Sequence, residues 1–452
     1  MSRFGSLANP VATFLLTGVR AIDPSDGTDA VRDMAVLEGR IVDPGRLPAD
    51  VRRIDGADLV VAPGLCDLHT HLREPGGEAA ETIESGTRAA AHGGFTTVCA
   101  MPNTDPPLDE PARVAFVQAR GAAAAARVRV IAAATVSRAG ERLTNLVELA
   151  ALGIVGVSDD GTAIPSARLV RDALIYLGEL GLPLIEHAEE PSLAAGTLMR
   201  AGAVASRLGL GGWPASAELT IVERDIALAE ETGGWLHLTH LSTAGAVDAV
   251  RRAKARGVHV TCDVTPHHLA LTDAWVAGDR RFSWEEPADE ITLDPKTAYD
   301  GACRVNPPLG TRADALALFA GVADGTINAI ATDHAPHPPE RKRVEFTAAA
   351  QGMIGLETAL SLCLTAVEAG CATMAQLLAA LSTRPAALIG EPRGLSAGAV
   401  ADLVVFEAAA RWRVEPEALA SRSSNSPLLG MELAGVVRLT LADGRITYEH
   451  RP

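Results

Sequence analysis

Histidine and aspartate residues stand at the ends of several apolar runs of this chain, where they could bind metal ions. The first run ends in Asp67-Leu68-His69-Thr70-His71, and a β-strand would turn its two histidines to the same side. Imidazole and carboxylate groups suit zinc, although manganese or cobalt can take its place. The candidate ligands at the ends of the runs are His69, His71, Asp160, His187, His240 and Asp333. Six ligands are too many for one tetrahedral zinc ion and suit a pair of metals.

A pair of metal ions about 3.5–4 Å apart needs a bridging anion, which a carboxylate or a carbamylated lysine can provide. The chain contains only three lysines, Lys254, Lys296 and Lys342, and none is near the candidate ligands of the fourth run. We therefore predict a carboxylate bridge, with Asp160 as the candidate and Asp159 as the alternative. Because strand residues alternate between faces, the two aspartates would point in opposite directions.

Eight apolar runs alternate with helical stretches between residues 62 and 388. The runs are LVVAPGLCDLHTH, FTTVCAM, RVRVIAAAT, GIVGVSDD, LPLIEHAE, WLHLTHLS, HVTCDVTPHH and INAIATDHAPH. Helices are predicted over 166–180, 217–231 and 244–256, and the alanine run 122–126 is also interpreted as helix. This alternation predicts a parallel sheet buried on both faces, closed into a (β/α)8 TIM-type barrel. Functional groups of such a barrel lie at the C-terminal ends of its strands, so the candidate ligands would meet at one mouth.

The two ends of the chain have a different pattern. Residues 1–61 contain the short strand patterns FLLTGVRAID and DMAVLEGRIVD, and residues 389–452 contain ADLVVFE and GVVRLTLADGRITYE. Together they predict a small, discontinuous β-sandwich domain built from both termini. Within the barrel, the long polar link 274–303 is typical of a lid, an oligomer contact or a mobile insertion.

Composition limits the partners of the protein. A net charge of −16 argues against nucleic acid and anionic membranes as partners, and means that an anionic substrate needs a local cationic anchor. Arg73 could be that anchor, because it lies two residues beyond His71 and a guanidinium binds carboxylates in a bidentate manner. Six cysteines without a CxxC pair indicate buried thiols of a cytoplasmic protein. No apolar run reaches the roughly 18 residues of a membrane helix, and the apolar stretch 10–19 lacks the cleavage site of a signal peptide.

Longer motifs resemble one family closely. They are PGLCDLHTHLREPGGEAAETIESGTRAAAHGGFTTVCAMPNTDP, SDDG, EHAE, HLTHLST, TPHHL, RVNPPL, ATDHAPH, GMIGLETAL and SRSSNSPLLG. The chain resembles dihydroorotases of the longer bacterial class (class I type) in the amidohydrolase superfamily, which use an aspartate where other members use a carbamylated lysine. The resemblance implies reversible, zinc-dependent cyclisation of N-carbamoyl-L-aspartate to (S)-dihydroorotate and water, in de novo pyrimidine (UMP) biosynthesis.

The same resemblance implies roles for individual residues. His69, His71 and Asp333 would bind the first zinc ion and His187 and His240 the second. Asp160, favoured over Asp159 by the family spacing, would bridge the two ions together with a hydroxide. Asp333 would also be the catalytic base. The implied substrate contacts are Arg73, Asn103, Asn306, His337, Gln351 and Gly352.

Two departures from the family pattern stand out. The link 274–303 is about twenty residues longer than usual, and the usual PFG reads Ala350-Gln351-Gly352, which puts the backbone contact there in doubt. An alternative function is another cyclic amidohydrolase of allantoinase or hydantoinase type. A second is a non-catalytic chain that scaffolds aspartate transcarbamoylase, although such chains lack the metal ligands present here. We expect a homodimer that can also form a complex with aspartate transcarbamoylase.

Overall fold

The N-terminal part of the protein is a set of five strands. The computed structural model describes residues 10–288 and 290–450, so the ends of the predicted terminal segments, 1–9 and 451–452, lie outside the described residues. The strands are β1 (Phe14–Asp23), β2 (Thr28–Leu37), β3 (Arg40–Val42), β4 (Arg53–Asp55) and β5 (Val60–Pro63). β1 is central to this group, because it pairs antiparallel with β2 and parallel with β4 and β5.

Ten strands follow, and eight of them form the barrel. They are β6 (Leu65–Thr70), β7 (Phe95–Ala100), β8 (Arg127–Ala133), β9 (Gly156–Ser158), β10 (Leu184–Glu186), β11 (Met199–Arg200), β12 (Gly212–Trp213), β13 (Leu236–Leu238), β14 (Val260–Val264) and β15 (Ala329–Ile330). β11 and β12 pair with each other, and the other eight form one sheet in the order β6-β7-β8-β9-β10-β13-β14-β15. A parallel bridge between Thr70 and His334 joins the two edges of this sheet. Each predicted run contains one barrel strand, so the (β/α)8 prediction is confirmed.

Helices fill the connections. They are α1 (Ile83–His92), α2 (Pro111–Gly121), α3 (Leu146–Ala150), α4 (Ala167–Leu180), α5 (Pro191–Ala194), α6 (Ala203–Leu208), α7 (Ala215–Thr232), α8 (Ala244–Ala255), α9 (Pro266–Ala270), α10 (Arg312–Asp324), α11 (Pro339–Lys342), α12 (Ala359–Glu368), α13 (Met374–Leu378) and α14 (Arg384–Leu388). The helices predicted over 166–180, 217–231 and 244–256 correspond to α4, α7 and α8. Ser166 and Thr243 begin α4 and α8 as N-caps, because their hydroxyls accept backbone N–H groups. None of the described helices combines the length and apolar character that crossing a bilayer requires.

The helix predicted over residues 122–126 is wrong. α2 ends at Gly121, and residues 122–126 form a turn that leads into β8. Gly121 lies against the side chain of Val128, where a Cβ atom would come within 2.8 Å of Val128 Cβ. The chain therefore has to turn back at this point to enter the barrel, and this packing overrides the helix propensity of alanine.

The C-terminal strands complete the first sheet. They are β16 (Leu403–Arg413), β17 (Glu432–Ala442) and β18 (Arg445–Glu449). The sheet runs in the order β18-β17-β16-β5-β1-β2-β3, with β4 beside β1, and antiparallel pairing of β5 with β16 joins the two halves. Phe14, Val36, Val61, Leu403 and Leu441 share one core cluster of this sheet. A domain built from both termini is thus confirmed, and β5 spans the predicted boundary at residue 61.

The link 274–303 packs against the body of the protein in its described part. Short turns of 3-10 helix lie at Asp273–Ala277 and Gly301–Cys303. Trp275 and Phe282 are buried in a cluster that also contains Val305 and Leu309, and the Trp275 indole donates to the carbonyl of Arg281 at 2.7 Å. Residue 289 lies outside the described residues.

Candidate metal centre

His69 lies near the end of β6 and its ring is held by the neighbouring strands. The Thr239 hydroxyl donates to Asp263 at 3.1 Å, so this oxygen accepts from Nδ1–H of His69 at 2.8 Å. Nε2 of His69 is then the nitrogen available to a metal ion. This buried nitrogen makes no hydrogen bond within the described residues, and carboxylate oxygens of Asp160 and Asp333 lie 3.4 and 3.5 Å from it. A buried imidazole nitrogen without a partner is the arrangement expected of a metal ligand.

His71 follows β6 and has the same tautomer. Its Nδ1 lies 2.8 Å from the amide oxygen of Asn103, which can only accept, so Nδ1 carries the proton. Its Nε2 lies 2.9 Å from Oδ1 of Asp333 and 3.6 Å from Oδ2 of Asp160. Both histidines of the first run therefore direct Nε2, the nitrogen available to a metal ion, toward the same two carboxylates.

Asp160 lies between two groups of histidines. The candidate ligand atoms of His69, His71 and Asp160 lie within 4.8 Å of one another, and so do those of Asp160, His187 and His240. Asp160 is common to both groups. Oδ1 of Asp160 lies 3.5 Å from His240 Nε2 and 3.8 Å from His187 Nδ1. A carboxylate in this place can contribute one oxygen to each of two metal sites.

Asp159 points away from this centre. Its carboxylate accepts from the backbone N–H of Thr135 at 2.9 Å and from the Thr135 hydroxyl. The two adjacent aspartates thus face opposite sides, as strand alternation predicted. Asp160 is therefore the one of the two aspartates that faces both histidine groups.

His187 and His240 come from the ends of β10 and β13. Nδ1 of His187 lies 3.0 Å from Nε2 of His240, and Nδ2 of Asn306 lies 3.3 Å from Nε2 of His187. The backbone N–H of His240 donates to Oδ1 of Asp263 at 2.6 Å. His240 and Asp333 have φ angles of 39° and 47°, a left-handed conformation that is costly for these residues. Such strain is typical of functional sites, where the surrounding contacts hold it.

The electrostatics of the cluster favour cations. The six candidate ligands are at most 6% exposed. Burial by itself would raise the pKa of Asp160, but His69 and His240 hold that pKa well below its ordinary value. Against its own burial, Asp160 and Asp333 raise the pKa of His69 to about 10. Burial, reinforced by His240, lowers the pKa of His187 to about 3. The buried carboxylates of Asp160 and Asp333 therefore need a compensating positive charge. A metal ion would supply it in place of protons on the histidines.

The predicted substrate contacts surround this centre. Nε of Arg73 donates to the carbonyl of Pro336 at 3.2 Å. Nε2 of His337 donates to the carbonyl of Gln351 at 2.7 Å, and burial lowers the pKa of His337 to about 3. The N–H of Gly352 donates to the carbonyl of Arg304 at 2.8 Å, so this donor is engaged within the protein.

Comparison with known proteins places the chain among its relatives. A family model described as Dihydro-orotase-like matches residues 58–246, and one described as Amidohydrolase family matches residues 365–448. A dihydroorotase of Anaeromyxobacter dehalogenans (strain 2CP-C) is 47% identical over 96% of this chain and 97% of its own length. A dihydroorotase of Pelobacter propionicus is 44% identical over 96% and 99%. The chain belongs to the dihydroorotase family. The predicted family and the predicted class, a hydrolase of a cyclic amide, are confirmed.

Solved structures support the architecture of this dihydroorotase-family chain. An L-hydantoinase (dihydropyrimidinase) from Arthrobacter aurescens superposes with a TM-score of 0.81 at 23% identity, over 97% of this chain and 96% of the other. A dihydropyrimidinase from Brevibacillus agri NCHU1002 gives a TM-score of 0.77 at 22% identity, over 97% and 95%. At such identities the likeness shows the fold alone.

Some residues that support the site in this dihydroorotase-family member were missed by the sequence analysis. Thr239 and Asp263 orient His69 and the backbone of His240. Asp263 lies near the C-terminal end of β14, the position that identified the other candidates, so its place in the run CDVTPHH was the available signal. Lys342 and Asn425 contact the loops of the predicted substrate contacts; Asn425 lies in the motif SRSSNSPLLG, whereas no local pattern pointed to Lys342.

Proposed function

We propose that the chain is a dihydroorotase, which reversibly cyclises N-carbamoyl-L-aspartate to (S)-dihydroorotate with release of water in de novo pyrimidine (UMP) biosynthesis. The observation that carries the proposal is the position of Asp160, which faces both histidine groups at the mouth of the barrel of a dihydroorotase-family chain. None of the three lysines of the chain is among the candidate ligands, and an aspartate stands at the bridging position. Among the cyclic amidohydrolases, this favours a dihydroorotase over an enzyme of the allantoinase or hydantoinase type.

The proposed cofactors are two zinc ions per subunit. His69, His71 and Asp333 would hold the first ion, His187 and His240 the second, and Asp160 would bridge them. The buried Nε2 of His69, which lacks a hydrogen-bond partner within the described residues, supports this assignment. When bound, the ions supply the Lewis acidity that polarises the ring carbonyl and lowers the pKa of the attacking water.

Asp333 is the proposed base. Burial alone would raise its pKa, but His69 and His71 hold the pKa of Asp333 below its ordinary value, so it is a carboxylate at neutral pH. In the hydrolytic direction, Asp333 accepts a proton from the attacking water as the C–O bond forms. It then delivers this proton to the ring nitrogen as the C–N bond breaks, and the cyclisation reverses these steps.

Substrate orientation is the proposed role of a second set of residues. The guanidinium of Arg73 would bind the substrate carboxylate, because a chain of net charge −16 needs a local cation for an anionic substrate. Asn103, Asn306, His337 and the backbone at Gln351 and Gly352 would form further contacts. Together they determine which carbonyl faces the metal centre.

The test is an assay of the purified protein with dihydroorotate, allantoin and hydantoin, with metal content measured on the same sample. We expect turnover of dihydroorotate and about two zinc ions per chain. Preferential turnover of allantoin or hydantoin would assign the chain to another cyclic amidohydrolase. Full metal occupancy without turnover of any of the three would favour the scaffolding role.

We also propose where and with what the enzyme works. A cytoplasmic location agrees with six free cysteines, five of which are buried. The proposed domain boundaries within the chain lie at residues 61/62 and 388/389. The expected assembly is a homodimer that can bind aspartate transcarbamoylase. Light scattering on the purified chain, alone and mixed with the transcarbamoylase, would measure both associations.

A further inference from the structure

Lys342 is a buried lysine whose ammonium contacts backbone carbonyls. It ends α11, its residue is 5% exposed, and its Nζ donates to Arg304 at 3.2 Å, Ala350 at 2.7 Å and Gly352 at 2.8 Å. An ammonium group has three donors, and the three carbonyls can use all of them. Loss of these donors would leave three carbonyls with an unfilled acceptor site in a buried place.

The three carbonyls belong to two loops that carry proposed substrate contacts. Arg304 lies two residues before Asn306, whose amide nitrogen lies 3.3 Å from His187. Ala350 and Gly352 flank Gln351, whose carbonyl accepts from the ring of His337. The Lys342 side chain therefore joins the loop of Asn306 to the loop that holds the His337 ring.

Asn425 holds the same loop from the other side. Its Nδ2 donates to Ala335 at 3.0 Å and to Gly352 at 3.2 Å, and its Oδ1 accepts from the N–H of His337 at 3.0 Å. Both lone pairs of the Gly352 carbonyl are thus occupied, one by Lys342 and one by Asn425. Asn425 belongs to the motif SRSSNSPLLG, one of those by which the chain resembles its family.

We propose that Lys342 is a positioning residue for substrate binding, which sets the separation between the Asn306 loop and the loop 350–352, with Asn425 as its counterpart. The loop itself is tight, because Gly352 has a φ of 121° and a Cβ there would lie 2.6 Å from Cβ of Ala335. The N–H of Gly352 already joins the two loops by its hydrogen bond to the carbonyl of Arg304 at 2.8 Å, and the side-chain donors of Lys342 and Asn425 act beside it to hold this shape. The inference rests on the proposed function insofar as it concerns dihydroorotate.

The experiment compares Lys342→Met with Lys254→Met. Methionine keeps the apolar stem and removes the donors. Lys254 is a matched control, because its Nζ also bonds a backbone carbonyl, that of Thr326, at 2.6 Å and the Asn328 side chain at 2.6 Å, away from the substrate loops. We expect Lys342→Met to raise the KM for dihydroorotate about tenfold with little change in kcat, because uniform binding is lost. Metal content should stay unchanged, and Lys254→Met should lower the Tm without raising KM.

Hydrogen exchange of the same proteins without substrate gives a second measurement. Faster exchange of the amides in 304–306 and 343–353 is expected for Lys342→Met only. Equal KM values for the wild type and Lys342→Met, or equal effects of the two lysine substitutions, would overturn the proposal. If the wild type does not convert dihydroorotate, the proposed function fails. The exchange comparison still tests whether Lys342 holds the two loops together. If Lys342→Met does not fold, Asn425→Leu is measured in its place, with the same expected rise in KM and the same contrary outcome.

Discussion

Asn103 donates a hydrogen bond from Nδ2 to Oδ2 of Asp160 at 3.1 Å. The oxygen of the same amide accepts from Nδ1 of His71 at 2.8 Å. A residue that the family resemblance assigns to the substrate thus connects two of the proposed metal ligands. Because ligand orientation depends on such contacts, Asn103 is expected to support the metal centre as well as the substrate.

The first prediction separates these two roles. Asn103→Ala should weaken metal binding about 10- to 100-fold, because His71 and Asp160 both lose an orienting partner. Competition against a chelator of known affinity measures this change. Arg73→Ala is the control, since it should raise the KM for dihydroorotate and leave metal affinity unchanged. Wild-type metal affinity in Asn103→Ala would restrict Asn103 to substrate binding.

A second prediction concerns the tautomer of His69. Thr239→Val keeps the shape of the side chain but removes the acceptor for Nδ1–H of His69, so metal affinity should fall about 10- to 100-fold. Thr239→Ser restores the hydroxyl and should recover most of the affinity. Titration of the metal-free protein with zinc provides the measurement. If the Thr239→Val and Thr239→Ser variants bind zinc equally well, the hydroxyl of Thr239 does not orient His69.

The adjacent aspartates allow a third, matched test of the bridge. Asp160→Asn should reduce the bound metal to one ion or fewer per chain, because a neutral amide does not bridge two cations. Asp159→Asn should keep two ions and lower the Tm, since Asp159 accepts from Thr135 instead. Metal analysis after gel filtration distinguishes them. Loss of metal from Asp159→Asn alone would reverse the assignment.

The fourth prediction tests the base. Asp333→Asn retains an oxygen ligand but cannot carry the proton, so kcat for dihydroorotate should fall about 10²- to 10⁴-fold. Most of the metal should remain, and this has to be measured on the same sample. Near-normal turnover with full metal content would remove Asp333 from the role of base.

Local sequence was sufficient to predict the barrel and the candidate ligands. The reason is physical: strand periodicity of two determines which side chains share a face, and parallel strands end together, so residues such as His69 and His187 meet without further information. The same argument predicted that Asp159 and Asp160 would diverge. The short turn after α2 could not be predicted this way, because it depends on the packing of Gly121 against Val128.

Only the tertiary structure decided which groups face one another across the site. Asp159 and Asp160 differ because Thr135, which follows β8, donates hydrogen bonds to Asp159, whereas Asp160 faces the histidines. Asn425 reaches Gly352 across 73 residues of sequence, and Lys342 reaches the carbonyl of Arg304 across 38 residues. Hydrogen bonds of this kind depend on the distance and direction between elements that are far apart in the sequence and pack together only in the folded protein. Residue type and local spacing therefore do not predict them.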